Sequence, residues 1–160
     1  MSTLQPAIDL SAVRQTRPRA ALAAVVVAQL MVTLDLSVVN VGLPQIARGL
    51  GFGPVGLTWV INAYALSFGG LLLLGGKAAD LYGRRRMLVV GLALFAGSCL
   101  LGGFAQQPAQ LVAARALQGV GAAALAPAAL ALVSAMFPQG RARVRAFGVW
   151  SATNAAGGAL

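Results

Sequence analysis

Apolar residues come in long blocks in this chain of 160 residues. Each block is about twenty residues long, which is the length that an α-helix needs to cross the hydrocarbon core of a bilayer. Only 9% of the residues are charged and 59% are hydrophobic, whereas a soluble domain is about one quarter charged. Four blocks are complete, at 21–41, 55–75, 87–104 and 111–136. A fifth starts at 147 and is still apolar at residue 160. The sequence predicts an all-α membrane protein, with a tail over 1–20 and a partial transmembrane bundle over 21–160.

The fifth apolar block is unfinished at Leu160. Half a helix in lipid would leave backbone carbonyls without hydrogen-bond partners. We therefore expect the sequence to be the first part of a longer polypeptide. The alternative is a short membrane fragment or small interaction module that does not transport, because the helices that complete a central cavity would then be missing.

Basic residues are concentrated on one side of the predicted membrane. Ten of the twelve lie before the first span or in the links after the second and fourth spans: Arg14, Arg17, Arg19, Lys77, Arg84, Arg85, Arg86, Arg141, Arg143 and Arg145. The positive-inside rule makes this side cytoplasmic. The pattern predicts a multi-pass protein of the plasma or inner membrane with a cytoplasmic N-terminus. It also explains the net charge of +9 without a nucleic-acid partner.

Residue types that carry most catalytic and metal chemistry are scarce in this sequence. It contains no histidine and one cysteine, Cys99, so it has no disulfide framework and does not suggest a metal site. No Ser/His/Asp or Cys/His set can be assembled, and the predicted spans contain no pair of carboxylates. We expect neither an enzyme nor a bound cofactor.

Two charged residues lie inside the predicted spans, Asp35 in the first and Arg115 in the fourth. At 1.5 Å per residue, Asp35 lies about 21 Å from the inner end of its span, and Arg115 about 6–9 Å from the outer end of its own. Both therefore fall in the outer half of a core about 30 Å thick. Either charge alone would be costly there, so we predict that they pair, directly or through water, beside a polar cavity. A static pair that only fixes helix packing, or an Arg115 that reaches outward to the interface, is the alternative.

Other residues of the spans suggest a cavity and close helix packing near these charges. Gln118 follows Arg115 by three residues and shares its helix face. The candidates for lining the cavity are Asn40, Asn62, Tyr64 and Gln118. The candidates for close packing and for helix kinks are Pro44, Gly119, Gly121 and Pro127, since small residues let helices approach and a proline frees a carbonyl one turn earlier. Ordinary packing kinks are the alternative for the prolines.

The short inner link "GGKAADLYGRRRML", residues 75–88, joins the second and third spans. Gly76 and Gly83 suit a tight reversal of the chain. Asp80 is the only acid among the basic residues of this link. It either caps the next helix, in a turn whose arginines set the topology, or it acts as a switch that docks on a helix end or a basic group in one conformation and releases it in another.

This link resembles the signature loop of the major facilitator superfamily. The matching residues are Gly76, Asp80, Gly83, Arg84, Arg85 and Arg86. "LDLSVVNVGLPQI" is similar to the first-helix motif of the superfamily's drug:proton antiporters, particularly the fourteen-helix branch, and matches at Asp35, Asn40 and Pro44. "WVINAYAL" resembles the second helix of that branch, and "FGVWSATNAAGGAL" the opening of its fifth-helix motif. "LVAARALQGVGAA" resembles the fourth-helix motif, with Arg115, Gln118, Gly119 and Gly121 in place.

The resemblance implies the N-terminal portion of a proton-driven exporter of drugs or other amphipathic small molecules that works by alternating access. Asp35 would be the proton-coupling carboxylate, Arg115 its cationic partner, and the loop 76–86 a lock on the outward-facing state. Protonation of Asp35 would weaken its attraction to Arg115 and so bias a two-state cavity. The implied partners are the bilayer, the proton and a small amphipathic substrate, with the proton gradient as the energy source. The Gly-Pro pair that distinguishes antiporters would follow Leu160, so a nutrient symporter or uniporter remains the alternative among transporters.

Overall fold

The computed structural model describes residues 18–136 and the isolated positions 144, 148, 151 and 152. Of the predicted tail, residues 18–20 are described, and they are helical. Apart from those isolated positions, the predicted fifth span and the basic residues that precede it lie outside the described residues, as do Arg14 and Arg17.

Four α-helices form the described part of the chain: α1 Pro18–Leu50, α2 Pro54–Tyr82, α3 Arg84–Gly103 and α4 Pro108–Met136. Each of them is long and apolar enough to cross a membrane. Proline stands at the first position of α2 and of α4, where its missing N–H costs nothing and its fixed φ favours the helix. The predicted all-α membrane fold is confirmed.

The helices α1 and α2 extend beyond their predicted spans, which end at 41 and 75. The predicted spans had the length that crosses the bilayer core, whereas a helix can continue beyond that length. Arg48 and Lys77, in the added segments, are exposed. The helix α1 stops at Gly51, whose φ of +67° is the left-handed conformation of a helix C-terminus, and the N–H of Phe52 donates to the carbonyl of Ala47 at 3.1 Å.

The central helix of the bundle is α4. Half of its most apolar segment is buried, against 17% for α1 and for α2. A Cβ on Gly119 would lie 2.5 Å from the carbonyl oxygen of Tyr64 in α2, and a Cβ on Gly121 would lie 2.8 Å from the backbone nitrogen of Phe95 in α3. Glycine at these two positions therefore lets α4 lie directly against the backbones of both neighbouring helices.

The helix α1 is attached less closely than the others. Its backbone makes few close approaches to α2, α3 and α4, whereas α4 packs along much of α2 and α3. Val25 and Ala28 contribute to the buried apolar cluster of the bundle, and many large side chains of α1 are exposed, including Val38 at 67% and Val41 at 72%. The buried core of the four described helices therefore consists mainly of α2, α3 and α4, with α1 against one side.

The two predicted kink prolines lie within continuous helices, Pro44 in α1 and Pro127 in α4. Pro44 is exposed, whereas Pro127 is partly buried and faces Gly76 of α2, where a Cβ would lie 3.8 Å from Pro127 Cβ. Pro127 therefore belongs to the contact between α2 and α4.

The reversal between α2 and α3 takes place at one residue, Gly83, with φ +95°, a conformation that is strained for other residues. Gly76 lies inside α2, so the prediction that it forms part of the turn is wrong: α2 remains helical through both glycines of "GGKAAD". The capping alternative for Asp80 is also wrong. The N-cap of α3 is Gly83, with no side-chain capping bond, because Asp80 still belongs to the last turns of α2.

Candidate functional site

Asp35 of α1 and Arg115 of α4 form an ion pair inside the bundle. Arg115 Nη1 donates to Asp35 Oδ2 at 2.5 Å, and the two side chains are 3% and 15% exposed, respectively. The direct pairing that their common depth predicted is present in the structure. Because both groups are largely withdrawn from water, each depends on the other for compensation of its charge.

Arg115 is also held by α2. Its Nε donates to the carbonyl oxygen of Val60 at 3.2 Å, and its guanidinium carbon lies 4.8 Å from the centre of the Tyr64 ring, within the range of a cation–π contact. The Tyr64 ring is stacked on Phe68 with a centroid distance of 5.9 Å. The cation is thus fixed on the α2–α4 pair of helices, independently of α1.

Gln118 bridges the two charges. Its Oε1 accepts from Arg115 Nη1 at 2.8 Å, and its Nε2 donates to Asp35 Oδ1 at 2.9 Å. Gln118 is 3% exposed, so these partners satisfy a buried amide that would otherwise be costly. Sequence spacing placed Gln118 on the face of Arg115, and the structure adds that it contacts both members of the pair.

Cys99 of α3 completes the cluster, and sequence reasoning missed it. Its sulfur accepts from Gln118 Nε2 at 3.0 Å, and its thiol donates weakly to Asp35 Oδ1 at 3.7 Å. A signal was available: Cys99 lies about 22 Å along α3 from its inner end, close to the depth of Asp35. We call these five residues the polar cluster: Asp35, Tyr64, Cys99, Arg115 and Gln118.

Two of the four cavity candidates do not reach the polar cluster. Asn40 is exposed and its Nδ2 donates to the carbonyl of Leu36, one turn earlier, at 2.9 Å. It follows Asp35 by five residues, about 140° around the helix. Asn62 is exposed on α2 and lies about 200° around that helix from Tyr64. Tyr64 and Gln118 contact the charges and are buried.

An apolar cavity of about 240 Å³ lies beside the polar cluster, between α1, α2 and α4. Of the four residues predicted to line a cavity, Tyr64 alone belongs to the wall of this one, and Asn40, Asn62 and Gln118 do not. Phe68 lies next to Tyr64 in the wall. The cavity is lined by Val25, Ala28, Gln29, Val32, Tyr64, Phe68, Ala122, Leu125, Ala126 and Ala129. In the predicted topology it lies on the cytoplasmic side of Asp35, because its α1 residues all precede Asp35.

The inner link also contacts α4. Arg84 Nη1 donates to the carbonyl oxygen of Ala131 at 3.3 Å, and Arg84 Nη2 lies 3.7 Å from Asp80 Oδ1. The two side chains of this ion pair are 44% and 71% exposed, so the pair adds little stability by itself. Arg85 and Arg86 are exposed. The contact at Ala131 nonetheless connects the α2–α3 turn to the central helix.

The chemistry of the polar cluster is dominated by one anion and one cation. Within residues 18–136 and the four positions beyond them, no three His, Cys, Asp or Glu side chains lie close enough together to hold a metal ion. Asp35 is the only acid of the cluster, so a bound proton would remove its only negative charge and leave Arg115 without its counter-ion.

Comparison of the sequence with known proteins shows which family the chain belongs to. The sequence model of the Major Facilitator Superfamily matches residues 25–160. The chain is 52% identical over 139 residues to the puromycin resistance protein pur8 of Streptomyces alboniger, covering 87% of this chain and 28% of the relative.

Two further relatives have names that refer to export of or resistance to antibiotics. The cephamycin export protein CmcT of Amycolatopsis lactamdurans is 48% identical over 82% of this chain and 27% of its own length. The methylenomycin A resistance protein of Bacillus subtilis is 40% identical over 82% of this chain and 28% of its own length. The chain spans little more than a quarter of the length of these relatives. By the family match and by these identities, it belongs to the major facilitator superfamily.

Proposed function

We propose that the complete protein is a proton-coupled exporter of amphipathic small molecules such as antibiotics, working by alternating access, with its N-terminus in the cytoplasm of the cell. The observation that carries this proposal is the buried pair of Asp35 and Arg115, since ionisable groups within membrane spans mark proton and substrate pathways. The names of the relatives, which refer to antibiotic export and resistance, support the substrate class.

The way α1 is attached suggests how a proton could drive a movement. The ionised Asp35 links α1 to Arg115 and Gln118 of α4, on a helix that has few other close backbone approaches. Protonation of Asp35 removes the attraction between the charges, whereas the glycine contacts of α4 with α2 and α3 are unaffected. Proton binding would thus favour a state in which α1 has moved relative to the other helices.

The apolar cavity beside Tyr64 supports an amphipathic substrate. Its wall combines two aromatic rings with aliphatic side chains, as expected for drug-binding sites. Its volume of about 240 Å³ is below the 300–1,000 Å³ that is typical of such sites. We propose that it is one part of a larger site that the rest of the transporter completes.

The proposal is tested by Asp35→Asn in the full-length protein, with proton-driven efflux of puromycin and ethidium measured in inverted membrane vesicles. Asparagine keeps the shape and the hydrogen-bonding capacity of the side chain and loses its charge and its proton site. We expect efflux driven by a pH gradient to fall at least tenfold, while the protein remains in the membrane. Asp9→Asn, which removes a carboxylate from the predicted tail, is the matched control and should transport normally. Full proton-dependent efflux by Asp35→Asn would refute the proposal.

A further inference from the structure

The buried amide of Gln118 is oriented by its neighbours. Arg115 can only donate hydrogen bonds, so the oxygen of the amide must face it, and Oε1 lies 2.8 Å from Arg115 Nη1. The nitrogen Nε2 is thereby turned to Asp35 Oδ1 at 2.9 Å and to Cys99 Sγ at 3.0 Å. At 3% exposure, Gln118 depends on these partners and not on bulk water.

In this orientation the amide of Gln118 can serve only the ionised form of Asp35. As a carboxylate, Asp35 accepts from Arg115 at Oδ2 and from Gln118 at Oδ1. A protonated Asp35 carries an O–H that needs an acceptor. Arg115 has no acceptor atom, and Gln118 presents an N–H. Of the atoms of the polar cluster in direct contact with Asp35, those that can accept this O–H are Gln118 Oε1, after a rotation of the amide, and the sulfur of Cys99.

We propose that Gln118 is a positioning residue whose side-chain amide reverses when Asp35 takes up a proton, an inference that rests on the proposed function. A half-turn about the terminal bond of the side chain exchanges Oε1 and Nε2, and Oε1 then accepts from the new O–H of Asp35. The same half-turn presents an N–H to Arg115 Nη1, which is itself a donor.

The reversal makes proton binding act on two contacts of Arg115 at once. Arg115 loses the negative charge of Asp35 and the acceptor Oε1 of Gln118 in a single event. It retains the carbonyl of Val60 and the ring of Tyr64, and both of these belong to α2. Gln118 thus transmits the protonation of Asp35 to the contact between α1 and α4, while the contact between α2 and α4 persists.

The groups around Asp35 define which variants test this role. Among the described residues, the charged or titratable side chains around it are Arg115 of α4 and Cys99 of α3, which contact it, and Tyr64 of α2, whose ring lies against Arg115. The thiol is compatible with both amide orientations, because it accepts from Nε2 before the reversal and donates to Oε1 after it. Cys99 is therefore the alternative acceptor whose contribution the experiment must separate from that of Gln118.

The experiment measures the pH at which Asp35 is half protonated, in the purified full-length protein, from the infrared band of its neutral carboxyl group. The band is assigned to Asp35 if it is absent from the Asp35→Asn protein. Gln118→Met keeps the length of the side chain and removes the amide. Because a hydrogen bond to a charged group is the stronger one, we expect its loss to move the midpoint to higher pH by about half a unit or more, about threefold in proton affinity. Cys99→Ala should move it by less than about 0.2 unit.

An unchanged midpoint in Gln118→Met, or an equal shift in Cys99→Ala, would overturn the role of Gln118. The reversal itself is measured in the wild-type protein, and this measurement also decides if Gln118→Met does not fold. The infrared band of the glutamine side-chain carbonyl must change as Asp35 is protonated, and this change must be missing in Asp35→Asn. A band that does not change with protonation overturns the inference. Efflux that persists in Asp35→Asn defeats the proposed function itself. Efflux lost in Asp35→Asn, with a wild-type midpoint in Gln118→Met, defeats the Gln118 inference alone.

Discussion

Arg115 is the residue on which most contacts of the polar cluster converge. It contacts α1 through Asp35, α2 through Val60 and Tyr64, and Gln118 of its own helix. A lysine at this position would keep the charge but would lack the planar fork that reaches acceptors in two directions. The position therefore requires arginine geometry as well as a positive charge.

Removal of this cation should destabilise the protein more than removal of the whole pair. Arg115→Gln leaves Asp35 buried without its counter-ion, and breaking one side of a buried pair costs about 3–5 kcal/mol. We expect the double variant Asp35→Asn/Arg115→Gln to recover a measurable part of this loss, because no unpaired charge remains. Thermal unfolding of the full-length protein in detergent measures both effects. Arg48→Gln, at an exposed arginine of α1, should change stability by less than about 0.5 kcal/mol. A double variant no more stable than Arg115→Gln would contradict the pairing argument.

At the scale of the elements, the sequence predicted the helices because the bilayer permits few alternatives. A block of about twenty apolar residues must be helical in lipid, so α1 to α4 could be recognised without any contact information. The ends of α1 and α2 were not predicted, because the predicted spans had the length that crosses the bilayer core, whereas both helices continue past that length. Gly83 was correctly predicted as a turn residue. Gly76 was predicted as one too, because both glycines belong to the same short link, but it lies inside α2.

The contact between α2 and α4 depends on Gly119. An alanine there would place its Cβ 2.8 Å from Ser67 Cβ and 2.5 Å from the Tyr64 carbonyl oxygen, so the two helices would have to separate. We expect Gly119→Ala to destabilise the protein by about 1–3 kcal/mol, as other overpacking substitutions do. Gly97→Ala is the matched control, since a Cβ on this helical glycine meets nothing within 4 Å, and it should be neutral or slightly stabilising. Equal effects of the two variants in thermal unfolding would argue against the close contact.

The candidate site was only partly predictable, and the reason differs between its residues. Asp35 and Arg115 could be paired because charges inside a membrane are rarely left alone, and Gln118 followed from helical spacing. The carbonyl of Val60 has no signal in the sequence, since every residue of a helix carries one. The depth of Cys99 could be read from the sequence, but its contact with Asp35 also depends on the rotation of α3 about its own axis, which packing against α4 determines.

At the scale of the whole molecule, α1 is the element whose position should respond to protons. The close packing joins α2, α3 and α4, and α1 is linked to them mainly through Val25, Ala28 and Asp35. We expect spin labels at Val41 of α1 and Leu130 of α4 to change their distance when Asp35 is protonated. Labels at Leu73 of α2 and Leu130 should keep theirs. Attachment through a ketone-bearing amino acid leaves Cys99 untouched. Pulsed dipolar spectroscopy of the full-length protein across pH measures both distances, and a constant distance from Val41 to Leu130 would contradict the scheme.

The central position of α4 also has a consequence for biosynthesis. Asp35 is translated 80 residues before Arg115, a delay of about 4–16 s at 5–20 residues per second. During this delay α2 and α3 are synthesised, while the helix that they pack against has not been completed. The carboxylate of α1 is therefore made several seconds before its counter-ion. The ion pair can form only when α4 is present, so this contact belongs to the late part of the assembly of the nascent chain.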